Sequence, residues 1–340
     1  MRRVFLREVR SRINRRSLCA ALAFSALGML AVLPLHAEVP PPLRVAWTSI
    51  ERPNPASPYL EAFRNGMREL GYTEGKDLFI DPWWGDGTED RLAQQIDAIV
   101  RSRPDVIVAQ GGLALHPLLV ARVNIPIVFG ISAEPVEARI AASFGHPGGN
   151  ATGMSFFALD LVGKRMQIMK EALPAMKRVA VLADPQHPGQ QKELAAAQAA
   201  AETLGLRVHY FPVHSGPELE AALANIARDR YDAILVFADG FTQSFAGRIA
   251  AFSLRQRIPA VDGWSPFARE GNLMIYGPVL EECYRRLAVY VDKIHKGAHA
   301  GDLPIELPTK IELVINLKTA KAIGVAIPQS LLLRADEVIR

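Results

Sequence analysis

The sequence predicts an α/β protein built as two doubly wound parallel-sheet lobes, joined by three crossovers and facing each other across a cleft. Three observations predict it. Short apolar runs alternate with amphipathic helical patterns from Leu43 onward, the order that builds parallel sheets with helices on both faces. The same alternation starts afresh near Leu159. Gly/Pro-rich or irregular stretches then fall where the chain would pass between lobes.

In chain order, the first strands are expected at Arg44 to Thr48, Leu78 to Pro82, Val106 to Ala109 and Ile127 to Phe129. Between them, Leu60, Phe63, Met67 and Leu70 repeat at helical spacing and stop at Gly71, a residue suited to the left-handed turn after a helix. The second series opens with a helix face at Val162, Met166, Met169 and Leu173. Strands follow at Val179 to Leu182, Val208 to Phe211, Ile234 to Phe237 and Ala260 to Val261. Helices are expected at Gln191 to Leu204, Glu218 to Arg228 and Thr242 to Gln256. The halves share this architecture without enough identity to call them a repeat.

The crossovers are placed at His146 to Gly153, around Ile275 to Pro278, and at Pro304 to Thr309. Lobe 1 is thus expected to take 43–150 plus about 277–304, and lobe 2 151–276 plus about 305–340. A helix from Glu281 to Lys296 should end at Gly297, with a last strand at Ile311 to Ile315 and a helix starting near Asn316.

The formal charge of +4 is misleading about partners. Residues 1–37 hold seven arginines and one acid, Glu8; removing these from 39 basic and 35 acidic residues leaves 32 and 34, a net charge of −2. No nucleic-acid face is indicated. The basic start, the apolar run from Leu18 to Leu35 and Leu35-His36-Ala37 read as a signal peptide over 1–37. An uncleaved anchor is the competing reading, since a spanning helix needs about 20 apolar residues. Asn14-Arg15-Arg16-Ser17-Leu18 leaves Sec and twin-arginine export both open. Cys19 sits too early in the apolar run for a lipid-modified cysteine. Cys283, on the stripe Cys283, Leu287, Val291, Ile294, reads as a buried structural thiol.

No catalytic residue is assigned. Gly130-Ile131-Ser132-Ala133-Glu134 lacks the second glycine of a nucleophile elbow, and no phosphate loop or dinucleotide fingerprint occurs; Gly85-Asp86-Gly87 reads as a loop that starts a helix. Eight histidines show no metal-ligand spacing, and Gly297 separates His295 from His299. The expectation is no enzyme, no metal and no cofactor.

What recurs is small or polar residues directly after the strands, where open α/β sheets bind ligands. These are Thr48 and Ser49; Gln110, Gly111, Gly112 and Leu113; Ser132 and Glu134; Asp184; Asp239 and Gly240. Trp264 and Tyr276 are added as stacking partners.

Four segments carry a family resemblance: AFRNGMRELGYTEGKDL (Ala62 to Leu78), HPGGNATGMS (His146 to Ser155), LPTKIELVINLKTAKAIG (Leu307 to Gly324) and IPQSLLLRADEVI (Ile327 to Ile339). In this order they resemble the ABC transporter substrate-binding proteins of the tryptophan/tyrosine-type group, which have the type I periplasmic binding fold. The resemblance spans Leu43 to Arg340. It implies a monomeric periplasmic protein that closes on a small polar or aromatic solute and presents it to an inner-membrane permease with its ATPase. An exported sensor that docks on a signalling receptor would share the sequence pattern. A transcription regulator of the same fold would need a helix-turn-helix in place of the apolar run in 1–37.

Carried over by position, the resemblance implies that Asp239 meets an α-amino group, while Met154 and Ser155 lie where a hydroxyl would meet a carboxylate. Gln110-Gly111-Gly112-Leu113-Ala114 stands where relatives commonly carry a Thr-Pro pair. Its amides still offer an anion site, but without the hydroxyl.

Overall fold

The computed structural model describes residues 41–156 and 159–340; the proposed signal peptide lies outside the described residues. A five-stranded sheet has the order β2-β1-β3-β4-β5, from β1 (Leu43–Ser49), β2 (Leu78–Trp84), β3 (Val106–Gln110), β4 (Ile127–Ile131) and β5 (Ala151–Ser155). All its pairings are parallel. A seven-stranded sheet has the order β12-β11-β10-β9-β8-β6-β7. Its strands are β6 (Arg178–Ala183), β7 (Arg207–Pro212), β8 (Ala233–Val236), β9 (Ala260–Asp262), β10 (Met274–Pro278), β11 (Ile311–Asn316) and β12 (Glu337–Ile339). Only β10 and β11 run antiparallel, as a strand returning from another lobe does.

Both sheets are covered on both faces, so their strands are continuous apolar runs rather than alternating ones. In lobe 1, α1 (Pro58–Glu69) and α11 (Leu280–His295) bury Trp47, Phe63, Met67 and Leu287 on one face. The short helices α2 (Glu89–Ala93) and α3 (Ile96–Arg101), with α4 (Gly112–Val120), bury Ile99, Leu118 and Phe129 on the other. In lobe 2, α5 (Leu159–Ala172) and α6 (Gln190–Thr203) cover one face, joined by α12 (Leu317–Ile323) and α13 (Gln329–Leu332). The opposite face is covered by α7 (Gly216–Arg228), α9 (Ala246–Gln256) and α10 (Ser265–Arg269), whose core includes Phe267 and Ile226. Between α7 and α9 lies the single-turn α8 (Gly240–Ser244).

Four expectations shift. The chain over Ala151–Ser155, read as crossover, is β5 and pairs in register with β4 from Ile127↔Ala151 to Ile131↔Ser155; lobe 1 therefore continues one strand past 150. Gly153 makes this pairing possible. It adopts φ +143, and a Cβ there would collide with the Phe129 backbone, so glycine fits where other residues would not. The second crossover follows β10, and the third bridges the lobes through Met154↔Glu306, with Ser155 N donating to Glu306 O at 3.0 Å. Leu70, expected on the buried face of α1, is 38% exposed because it is the cap residue beyond the last packed turn. The expected helix from Thr242 to Gln256 is two helices, broken at Phe245.

Other details follow the reading closely. Gly71 and Gly297 take positive φ after α1 and α11. Cys283, Leu287 and Val291 are buried in the core stripe.

Candidate functional site

Each lobe presents the carboxyl ends of its strands to the other, because loops leaving those ends touch. Ser132 Oγ, after β4, lies 2.8 Å from His187 Nε2, after β6. The Glu134 amide donates to the Pro188 carbonyl at 3.2 Å. Lys192 Nζ, on α6, pairs with Glu137 of lobe 1 at 2.7 Å. Trp264 and Ala238 of lobe 2 pack with the aromatic core of lobe 1. The two lobes are thus in contact across the cleft.

On the lobe 2 side, Asp239 caps α8. Its Oδ1 accepts from Thr242 N at 2.7 Å, while its own amide donates to Thr242 Oγ1 at 3.1 Å, a reciprocal cap. The second oxygen, Oδ2, is buried without a partner. Burial, with neighbouring Asp184 adding to it, pushes the carboxyl up to about 7. Asp262 repeats the theme at the end of β9: Oδ1 accepts from Trp264 N at 2.8 Å and Oδ2 has no partner. Burial pushes its carboxyl to about 7 as well.

Beneath these carboxylates, Arg165 is almost fully buried on α5 and donates from Nε to the Tyr276 carbonyl at 2.7 Å. Glu193 and Asp262 are the acids that act on it. Burial raises Glu193 to about 8 despite the pull of Arg165. Gly263 provides the room, since a Cβ there would overlap the Arg165 guanidinium. Asp184 is engaged otherwise: Oδ1 accepts from Gln186 N and meets His214 Nδ1, both at 2.9 Å.

On the lobe 1 side, Gln110 Nε2 donates to Glu51 Oε1 at 2.7 Å, leaving Gln110 Oε1 buried without a partner. Burial raises the Glu51 carboxyl and the Gln110 bond draws it back. Tyr59 and Tyr284 lie near it with their rings tilted, centroids 4.8 Å apart, and Phe156 adds an edge-on ring 5.4 Å from Tyr284.

The other positions expected from sequence fall into three groups. Thr48 and Ser49 are fully buried and spend their hydroxyls on the backbone, at Val108 O and Glu51 N. Gly111 opens α4 with φ +86 and donates its amide to Gly130 O at 2.8 Å, while Gly112 starts the helix and Leu113 is 39% exposed. Glu134 caps Glu137 N, and Ser155 Oγ donates to Ala133 O at 2.9 Å. Met154 is buried, facing a separate groove of ≈ 450 Å³ lined also by Cys283, Arg286 and Lys310. Gly240 is the first residue of α8; Trp264 is nearly buried; the Tyr276 ring packs against the lobe 2 core.

Sequence reasoning passed over Glu51, Arg165, His187, Glu193 and Asp262. Among the described residues, no group of three or more His, Cys, Asp or Glu side chains is arranged to hold a metal ion. No helix among them is long and apolar enough to cross a membrane.

A two-lobed α/β fold with polar residues gathered where the strand ends meet defines a solute-binding architecture. The chain belongs to the ABC transporter substrate binding protein family, which it matches over residues 54–339. It is 22% identical to the tyrosine-binding protein of Clostridioides difficile (strain R20291) over 266 residues, 77% of this chain and 75% of that protein. Its fold is similar to that of an ABC domain from Streptococcus pneumonia solved with L-Trp, at TM-score 0.80 and 22% identity over 88% of this chain and all of the other. A conserved domain protein from Vibrio cholerae gives TM-score 0.79 at 24% identity, covering 87% of this chain and 99% of the other. The fold expected from sequence is the type I periplasmic binding fold of these neighbours.

Proposed function

We propose that this protein captures a small amine-bearing solute between its lobes in the periplasm, as a monomer, and hands it to an ABC permease without changing it chemically. One observation carries the reading: Asp239 holds one carboxylate oxygen in a cap and leaves the other buried and unpartnered. A buried acceptor without a partner is costly, typically about 1–3 kcal/mol, and a cationic solute would remove that cost. The lobe contacts at Ser132–His187 and Glu137–Lys192 fit a form closed around cargo.

Capture and release by closure explain why polar groups stand at strand ends, with Ser132 and His187 serving as a contact between the lobes. The tyrosine-binding relative and the L-Trp-bound neighbour make amino-acid-like amines the first class to test. The signal-peptide reading of residues 1–37 and the net charge of −2 beyond them are consistent with a freely diffusing periplasmic protein.

The test is calorimetry on mature protein purified without refolding, against amines, amino acids and sugars, with Asp239→Asn alongside. Binding of an amine that the variant weakens, with the solute recovered unaltered and its uptake lost in a deletion strain, is expected. Binding indifferent to Asp239, or turnover of the solute, would overturn the reading.

A further inference from the structure

The cleft's unsatisfied polar atoms are mostly acceptors, and they occur in both lobes. Lobe 2 contributes Asp239 Oδ2 and Asp262 Oδ2; lobe 1 contributes Gln110 Oε1. Gln110 is only 7% exposed, and its amide nitrogen is held by the Glu51 carboxylate. The Gln110 carbonyl and the Glu51 carboxylate therefore sit side by side, at the carboxyl ends of β3 and β1. No ion pair reaches Glu51 or Asp239 among the described residues. The buried guanidinium of Arg165 is directed to the Tyr276 carbonyl and faces Glu193 and Asp262. The lysines that bridge the lobes are engaged as well, Lys192 with Glu137 and Lys310 with Glu282.

A zwitterionic ligand would need its anionic end received by donors in lobe 1. The candidates are the opening amides of α4, but the Gly111 amide is already bonded to Gly130 O. The side chain just before that helix holds a carboxylate instead of a hydroxyl or a cation. A second negative charge brought there would meet Glu51, and like charges at close range are mutually destabilising. Glu51 acts electrostatically on Tyr59 and Tyr284, so an aromatic pair with ring centroids 4.8 Å apart lies near the carboxylate.

We propose that the solute is a compact organic dication, an alkyl diamine or guanidino-amine, whose second cationic group is received by Glu51 and Gln110 of lobe 1 while its first meets Asp239 of lobe 2. This deepens the capture reading and rests on it. Each lobe then contributes one carboxylate, so neither holds the solute fully until closure, and the two charges of the ligand offset the two of the protein. Gln110 both orients Glu51 and lends its own carbonyl, which gives a forked acceptor matched to an ammonium or guanidinium.

The probes are 1,4-diaminobutane and (4-aminobutyl)guanidine, set against L-tyrosine, L-tryptophan and the monoamine 2-phenylethylamine, by calorimetry on the wild type, Glu51→Gln and Asp239→Asn. At least one dication is expected to bind more tightly than either amino acid. Glu51→Gln should weaken that dication about tenfold or more, the loss of one charge-assisted bond, and weaken 2-phenylethylamine far less. Matching melting curves for Glu51→Gln and wild type without ligand separate this effect from misfolding. If an amino acid binds best, with loss in Asp239→Asn and none in Glu51→Gln, the dication proposal falls and capture of an amine stands. If none of the five probes binds, or binding ignores Asp239, both fall.

Discussion

His187 Nε2 meets Ser132 Oγ at 2.8 Å, and this contact joins the loop after β6 in lobe 2 to the loop after β4 in lobe 1. The imidazole is so buried that it is held down at about 4 from an ordinary 6.5, with Asp184 pulling weakly the other way. It is neutral in the closed lobes at neutral pH. When the lobes part, its pKa returns toward 6.5, so the open form binds protons more readily below that value. Closure is therefore fully supported above about pH 6.5 and weakens as pH falls toward 4. Small-angle scattering of the ligand-bound protein should show the radius of gyration growing over that window. His187→Gln, which keeps a partner for Ser132 but does not titrate, should remove most of the change. An equal expansion in the variant would assign the effect to other groups.

Arg165 tests whether the buried charge cluster under the cleft depends on its one cation. The guanidinium lowers both Glu193 and Asp262, which still titrate near 8 and 7 because burial dominates. In Arg165→Met both carboxyls should rise further and stay protonated. Removing one side of a buried charge arrangement typically costs about 3–5 kcal/mol, and protonation of the acids absorbs part of that at low pH. The melting temperature should drop relative to wild type, and by more at pH 8.5 than at pH 6, because ionising the acids becomes costlier without the cation. A pH-independent drop would mean that lost packing, not charge, is what Arg165 supplies.

How far the site was legible follows from the range of its interactions. Asp239 could be singled out as a candidate because it stands directly after a strand and before a helix, where local pattern is informative. Gln110 is a candidate on the same ground, but its partner Glu51 lies 59 residues earlier, and no local pattern links them. Arg165 did leave a signal. It falls on the apolar face marked by Val162, Met166 and Met169, where a basic residue implies a buried polar partner. β5 was hidden for a different reason: Ala151-Thr152-Gly153-Met154-Ser155 carries turn-forming composition, and its strand conformation comes from pairing with β4 and burial from both sides.

Gly153 should be the most substitution-sensitive residue of β5. Its φ of +143 is outside what side-chain-bearing residues readily adopt, and the space a Cβ needs is taken by the Phe129 carbonyl and amide. Gly153→Ala must shift β5 from β4, next to the 3.0 Å bond from Glu306 N to the Gly153 carbonyl that ties in the third crossover. A loss of about 1–3 kcal/mol is expected, as for strain at a special backbone position, measured by denaturant titration. Gly145→Ala is the control, since nothing lies near its Cβ and its φ is ordinary. Equal stability of both variants would show that β5 tolerates displacement.

Asp239 sets the sign of the pH dependence of binding itself. Its carboxyl is raised to about 7 by burial, so near neutrality it holds a proton part of the time in the free protein. A cationic solute stabilises the ionised form and must expel that proton. Affinity should therefore rise with pH through 7, level off once the carboxylate is ionised, and fall by up to about tenfold for each unit below 7, the limit for release of one proton. Calorimetry at pH 7 in two buffers of different ionisation enthalpy should detect this release as a difference in apparent binding heat. In Asp239→Asn the difference should shrink, and the residual weak binding should lose most of its slope above pH 6.5, where His187 is already neutral. Affinity that instead increases as pH falls below 7 would mean the solute meets the protonated carboxyl, as a neutral or anionic molecule accepting its hydrogen bond.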